Sequence, residues 1–248
     1  AGVDAPAKQA LREQLPQHGI AYPVAIIEDT LAAASAAGLR DEPGVLLWSG
    51  TGSFAIARGP AGQLARVGGR GFAFSDEGSG YDLVRKAIGA VLHAIDGRGR
   101  ETLLVDGMTK AFDAGSPERL GGVVQRLRPR EVASRLPVVL EAYDQGDWAA
   151  ADVLQSGMYQ LTQLGIAALQ KVGGTPVAGT RVAYGGGVLE HNEIIRDGLD
   201  RTLQAAFGGE LQLRCLPSNA AALAAAQLAS SWHHGDAIAK DWVERVSL

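Results

Sequence analysis

The chain has very little cysteine and no long apolar run. Cys215 is its single cysteine among 248 residues, so neither an internal disulfide nor a cysteine-ligated metal cluster can form within it. We expect Cys215 to be a buried strand residue, and a lone thiol fits a reducing, cytoplasmic location. No apolar run approaches the roughly 20 residues that span a bilayer, and no signal peptide opens the chain. No membrane partner is therefore predicted.

A strong charge of one sign is also absent. The formal net charge is -4, and lysine and arginine are scattered without forming a basic stripe. The densest basic stretch, at 126–130, is interpreted as a solvated loop. These features predict no nucleic-acid partner. With 46% hydrophobic and 20% charged residues, the chain can bury the core of one large domain or of two smaller lobes.

The order of predicted elements indicates an α/β protein. A short strand at 24–27 leads into an alanine-rich helix at 30–37, with Asp29 as its N-cap and Gly38 as its terminator. A polar break at 40–44 predicts a boundary between a first lobe, 1–42, and a second lobe, 43–248. The second lobe is predicted to contain strands at 45–48, 54–58, 63–67, 181–184 and 210–216, and helices at 81–95, 117–127, 131–144, 147–171, 192–207 and 219–230.

Two glycine-rich segments lie less than twenty residues apart. The first reads Gly50, Thr51, Gly52 and Ser53 between two predicted strands. Backbone N–H groups and hydroxyls in such a turn can hold phosphate oxygens, but a plain hairpin turn has the same composition. No Gly-Lys-Ser/Thr follows, so the segment is not a Walker loop.

The second glycine-rich segment, 68–80, carries acidic side chains. Asp76 and Glu77 precede Ser79, which we expect to cap the helix at 81–95. On one interpretation these two acidic side chains are only stabilised by the positive N-terminal end of that helix. On the other, the Asp76 carboxylate binds a sugar hydroxyl or a metal-bound water.

Two further positions have a structural and a functional interpretation. Asp29 is either a simple helix cap or a carboxylate at the end of a strand that accepts a proton from an attacking hydroxyl. Gly185, Gly186 and Gly187 follow a strand and precede a helix. They form either a loop around an adenosine or a loose turn.

Taken in order, these pieces resemble the N-acetylglucosamine kinase and BadF/BadG/BcrA/BcrD-type ATPase family. The segment 68–80 is the most specific, because Gly-Gly-x-Gly followed by Asp-Glu-Gly-Ser is close to a signature. The resemblance implies a two-lobed α/β fold of the actin-like, ribonuclease-H-like ATPase type, and an ATP-dependent amino-sugar kinase. The matching pieces are 1–4, 27–30, 49–53, 68–80, 96–98, 146–147 and 184–188.

The resemblance also implies roles for residues that would share one cleft. Asp29 would be the general base. Mg²⁺ would bridge the phosphates of ATP without a metal ligand assigned in this chain. The second phosphate loop would comprise Gly50, Thr51, Gly52 and Ser53, with Thr51 and Gly52 also near the sugar. The sugar would further meet Gly69, Arg70, Asp76 and Glu77, and the adenosine would meet Gly185, Gly186 and Gly187.

The chain departs from the family pattern at two places. Arg70 stands where amino-sugar kinases often carry tryptophan, and it would either pair with an acidic sugar substituent or face solvent. The opening Asp-x-Gly-Gly-Thr hairpin, the first phosphate loop, is missing, so we expect an incomplete first lobe. The chain begins with alanine, and we expect it to be trimmed from a longer protein and weakly active or inactive alone.

Three other expectations complete the sequence analysis. A homodimer is the default assembly by resemblance. An iron–sulfur ATPase activator is one rival function, and the single Cys215 argues against it. A non-catalytic sugar or nucleotide sensor is the other rival, and the missing first phosphate loop favours it.

Overall fold

A five-stranded mixed sheet organises the computed structural model, which describes residues 5–19, 26–234 and 236. The strand order is β3-β2-β1-β4-β5. The first three strands form an antiparallel meander, whereas β4 runs parallel to both β1 and β5. The carboxyl ends of β1, β4 and β5 therefore share one edge, where open α/β sheets bind ligands. The strands are β1 (Gly44–Ser49), β2 (Ser53–Arg58), β3 (Leu64–Gly68), β4 (Arg181–Gly185) and β5 (Gln212–Cys215).

Eleven α-helices lie in the described ranges. They are α1 (Ala5–Gln14), α2 (Asp29–Ala36), α3 (Gly80–Ile95), α4 (Leu104–Ala111), α5 (Leu120–Val124), α6 (Pro129–Ala133), α7 (Leu136–Asp144), α8 (Trp148–Lys171), α9 (Gly187–His191), α10 (Glu193–Phe207) and α11 (Ala220–His233). Short 3₁₀ turns occupy Leu15–His18 and Pro117–Arg119. None of these helices combines the length and apolarity needed to cross a bilayer.

Several predicted elements are confirmed, and others differ. The helix predicted at 131–144 is divided into α6 and α7, because Pro137 in the first turn of α7 cannot continue a preceding helix. α4 was not predicted. Of the strand predicted at 24–27, residues 24–25 lie outside the described residues and 26–27 form no strand. Residues 1–4, quoted for the family resemblance, also lie outside them.

The strands β1, β2 and β4 are buried on both faces. Val45 and Leu47 of β1 belong to one core, which contains residues of α3, α8 and α10, while Leu46 between them belongs to the other. That second core contains Ala33 of α2 and Leu228 of α11. Successive strand residues point to opposite faces, so a strand covered on both sides reads as one continuous apolar run. α2 packs against α11, and the lobe boundary near residue 42 stays a prediction.

Cys215 lies in a strand as predicted, but it is exposed, so the prediction that it is buried is wrong. It ends β5, which pairs only with β4 and forms the edge of the described sheet. An edge strand has one neighbour to cover it, and most of β5 is open to solvent. The sequence of β5 does not reveal this edge position.

Candidate active site

The ends of β1 and β4 approach each other so closely that only glycine fits at the last residue of β4 and at the residue after it. A Cβ on Gly185 would lie 2.5 Å from the Trp48 ring. A Cβ on Gly186 would lie 2.4 Å from the Ser49 carbonyl oxygen, and Gly186 has φ 89° and ψ 150°. This backbone region is essentially restricted to glycine. The predicted adenosine loop is therefore seated directly beside the predicted phosphate turn.

The turn between β1 and β2 has the properties of a phosphate-binding turn. The Gly50 N–H donates to the Gly52 carbonyl at 2.9 Å and closes the turn. Within the described part of the chain, the Thr51 and Gly52 N–H groups donate to no backbone oxygen. Thr51 is also exposed. Among the residues that the structure describes, these N–H groups and the Thr51 hydroxyl have no hydrogen-bond partner, so they fit the phosphates of the nucleotide that the sequence implies.

Buried hydrogen bonds join the two glycine-rich segments into one unit. Ser49 Oγ donates to the Gly78 carbonyl at 2.8 Å, and Ser53 Oγ donates to the Glu77 carbonyl at 2.7 Å. Both serines are buried. The Gly80 N–H, at the start of α3, donates to the Gly50 carbonyl at 2.8 Å. The turn after β1 and the loop before α3 are thereby held as one surface.

Asp76 lies directly against Gly52. A Cβ on Gly52 would be 2.7 Å from Asp76 Oδ2, so the carboxylate occupies the space that a side chain would fill. Burial raises the pKa of Asp76, and backbone N–H groups of Ser53 and Gly71 oppose part of that rise. A partly buried carboxylate beside a candidate phosphate turn is well placed to accept a hydrogen bond from a substrate hydroxyl.

Asp82, which sequence reasoning missed, anchors the loop that carries Asp76. Its Oδ2 accepts from the Gly78 N–H at 2.9 Å and lies 2.9 Å from Lys86 Nζ, while its Oδ1 lies 2.7 Å from Arg85 Nη2. Burial alone would raise the pKa of Asp82, but these partners outweigh burial and hold it below its ordinary value. The available signal was an acid three residues after the cap Ser79, whose Oγ accepts from the Asp82 N–H.

Replacing Asp82 by Asn should lower the free energy of unfolding by about 1–3 kcal/mol at neutral pH. The amide keeps an acceptor for the Gly78 N–H but removes the charge that pairs with Lys86 and Arg85. The folded-state pKa is depressed, so this stabilisation is complete above the ordinary value of 3.8 and is lost as pH falls through the folded-state value. Urea unfolding at several pH values measures both effects.

Asp96→Asn is the matched control for Asp82→Asn. Asp96 follows the other end of α3 and pairs with Arg98, but both side chains are more than half exposed. We expect a change within about 0.5 kcal/mol. Equal destabilisation by the two variants would contradict an anchoring role for Asp82.

Asp29 is the first residue of α2, so the prediction that it is the N-cap needs correction. Glu28 is the cap: its backbone is extended, and its carbonyl accepts from the Leu31 and Ala32 N–H groups. Asp29 is exposed, and its Oδ1 accepts from the Thr30 N–H at 2.8 Å. A carboxylate in the first helical turn is favoured by the helix dipole.

Arg66, also missed by sequence reasoning, connects the start of α2 to the predicted sugar loop. Its Nη1 donates to Glu28 Oε2 at 3.2 Å, and its Nη2 donates to the Gly69 carbonyl at 3.0 Å. Asp29 therefore follows directly after Glu28, whose carboxylate is connected to the predicted sugar loop through Arg66. Arg70, in the same loop, is exposed. The only available signal for Arg66 was a charge within a short strand.

The glycine turns and the joined loops lie within a range that matches a known family. Residues 7–229 match the model of the BadF/BadG/BcrA/BcrD ATPase family. The chain belongs to this family. The family resemblance drawn from the sequence is thereby confirmed.

A curated relative and a solved structure are similar to this chain. It is 33% identical over 156 residues to an N-acetylmuramic acid/N-acetylglucosamine kinase of Clostridium acetobutylicum, covering 62% of this chain and 51% of the relative. The chain thus spans about half the length of that curated protein. A "putative N-acetylglucosamine kinase" of Chromobacterium violaceum superposes with TM-score 0.62 at 25% identity, covering 79% of this chain and 62% of the other.

A third comparison supports the fold class. A ROK family glucokinase from Streptomyces griseus, solved with glucose and AMPPNP, superposes with TM-score 0.51 at 18% identity over 90% of this chain and 72% of the other. The α/β actin-like, hexokinase-like fold class predicted from the sequence is confirmed.

In the described ranges, no cluster of three or more His, Cys, Asp and Glu side chains is arranged to hold a metal ion.

Proposed function

We propose that the protein containing this chain is an ATP-dependent kinase for an amino sugar of the N-acetylglucosamine or glucosamine type. The observation that carries the proposal is the contact between Asp76 and Gly52, which puts a candidate sugar ligand against a candidate phosphate turn. Family membership and the curated kinase relative support the same activity.

Each part of the proposed site has a distinct role. The phosphates of ATP bind the turn of Gly50, Thr51, Gly52 and Ser53, and the adenosine lies on Gly185, Gly186 and Gly187. The sugar hydroxyls meet Asp76 and Glu77, with Gly69 and Arg70 at the rim. A Mg²⁺ ion that accompanies ATP would supply charge neutralisation for the phosphoryl group, and no metal ligand is assigned in this chain.

The proposed reaction is an in-line phosphoryl transfer. Asp29 accepts the proton of the attacking sugar hydroxyl while the new oxygen–phosphorus bond forms and the bond to the ADP oxygen breaks. Asp29 is exposed and therefore accessible to a substrate, and its Oδ1 accepts from the Thr30 N–H. Asp76 orients the sugar by accepting from a neighbouring hydroxyl.

ADP release in the presence of individual sugars tests this function. The full-length protein should release ADP with N-acetylglucosamine or glucosamine and not without sugar. N-acetylmuramic acid belongs in the panel because the curated relative is named for it and the exposed Arg70 would pair with its carboxylate. Sugar binding by calorimetry without any sugar-dependent ADP release would instead identify a sensor.

Two further proposals concern the whole protein, one from its low cysteine content and one from the family resemblance. We propose a cytoplasmic location and a homodimer. Light scattering of the purified full-length protein measures the second, and fractionation of cells expressing it measures the first.

A further inference from the structure

Arg66 holds two separate segments of the proposed active site at once. It lies on β3 opposite Ile56 of β2, with its guanidinium carbon 5.0 Å from the centre of the Phe54 ring. One terminal nitrogen donates to the Glu28 carboxylate and the other to the Gly69 carbonyl. The planar fork of arginine suits two acceptors on different segments, whereas a lysine is a single point charge.

The first segment is the start of α2, and Glu28 connects it to Arg66. Its carbonyl begins the helix, and its Oε2 accepts from Thr30 Oγ1 at 3.2 Å as well as from Arg66. Asp29 lies between Glu28 and Thr30 in the sequence, and its Oδ1 accepts from the Thr30 N–H. The ion pair therefore connects the first turn of α2 to β3.

At the second segment, the backbone of Gly69 rests on the guanidinium. A Cβ on Gly69 would lie 2.4 Å from Arg66 Nη2, and Gly69 has φ 67°, a backbone conformation that favours glycine. The Gly69 N–H donates to the Ser75 carbonyl at 3.1 Å, directly before Asp76. The contact with Arg66 thus reaches the residue that we propose binds the sugar.

We propose that Arg66 is a positioning residue that sets the distance between the Asp29 carboxylate and the sugar loop. The inference rests on the proposed function, because it assigns Asp29 to the base and Asp76 to the sugar. The ion pair is screened less than an exposed pair, since the Arg66 and Glu28 side chains are only 28% and 25% exposed. Arg66 acts through Glu28 and Gly69 and does not itself meet the reacting atoms.

Steady-state kinetics of the full-length protein test the proposal. Arg66→Met keeps much of the apolar stem and removes both donors, and we expect it to lower kcat about 10- to 100-fold with a smaller change in KM for the sugar. Glu28→Gln should lower kcat in the same direction. The kcat of the double variant should be no lower than that of the less active single variant, because both substitutions break the same ion pair. Arg66→Lys should recover only part of the loss.

Arg58→Met is the matched control. Arg58 lies on the neighbouring strand and also donates to a backbone carbonyl, that of Leu39 at 3.1 Å, but it contacts neither α2's first turn nor Gly69. This variant should keep wild-type kcat. Wild-type kcat in Arg66→Met, or losses that multiply in the double variant, would overturn the positioning role.

Amide hydrogen exchange separates this inference from the proposed function. Exchange at 28–32 and 69–75 should be faster in Arg66→Met than in the wild type, while exchange within α8 stays unchanged. That comparison needs no turnover, so it tests the connection even if the wild type consumes no ATP. Unchanged exchange at both segments would overturn the proposal by itself.

Discussion

Asn in place of Asp29 is expected to lower kcat about 10²- to 10⁴-fold while sugar affinity stays close to that of the wild type. The amide cannot accept the hydroxyl proton, but its oxygen can still accept from the Thr30 N–H that holds Oδ1 now. Asp29 is also exposed, so loss of its charge should cost no more than the roughly 0.3–1 kcal/mol of its interaction with the dipole of α2. ADP release gives kcat, and calorimetry gives the sugar affinity.

Asp41→Asn serves as the control for Asp29→Asn. Asp41 is an exposed acid in the turn after α2 that pairs with Arg40, away from the loops of the proposed site. It should keep both wild-type kcat and wild-type affinity. Asp29→Asn with the turnover of the wild type would remove Asp29 from the role of base, and a parallel loss of affinity and turnover would indicate a structural role instead.

The meander and the long helices were predictable because their signals are local. Gly59, Pro60 and Gly62 separate the second and third strands in the sequence, and a turn lies there. Asp147 begins the helix predicted at 147–171, and it caps α8 with a carboxylate that accepts from the Ala150 N–H at 2.9 Å. Such caps and turns depend on neighbouring residues alone, so one sequence is enough to find them.

Other features depended on contacts between distant residues. α4 is short, and it buries only Leu104 and Met108 completely, with Gly107 between them weakening the helical signal. Arg66 and Glu28 lie 38 positions apart, so no sequence period connects them. The glycine-rich segments themselves were found, but the serine hydroxyls that join them were not, because serine is equally ordinary in any turn.

Ala in place of Gly186 is expected to destabilise the fold by on the order of 3 kcal/mol or more. Its backbone conformation is restricted to glycine, and the new Cβ would lie 2.4 Å from the Ser49 carbonyl oxygen and 2.6 Å from the Ser49 carbonyl carbon. Backbone atoms at the end of β1 cannot move aside as a flexible side chain can. The melting temperature should fall by roughly 10 °C, and nucleotide affinity should fall with it.

Gly187→Ala is the control that separates the steric effect at Gly186 from a general destabilisation by alanine in this loop. Gly187 is the first residue of α9, and the nearest atom to its added Cβ is His191 Cδ2 at an ordinary 3.8 Å. Alanine is also the better helix former, so the melting temperature of this variant should stay near that of the wild type. If both variants melted alike, the close approach of β4's end to Ser49 would not be what requires glycine. A large loss confined to Gly186→Ala would mean that this approach, on which the proposed adenosine loop depends, fixes the residue.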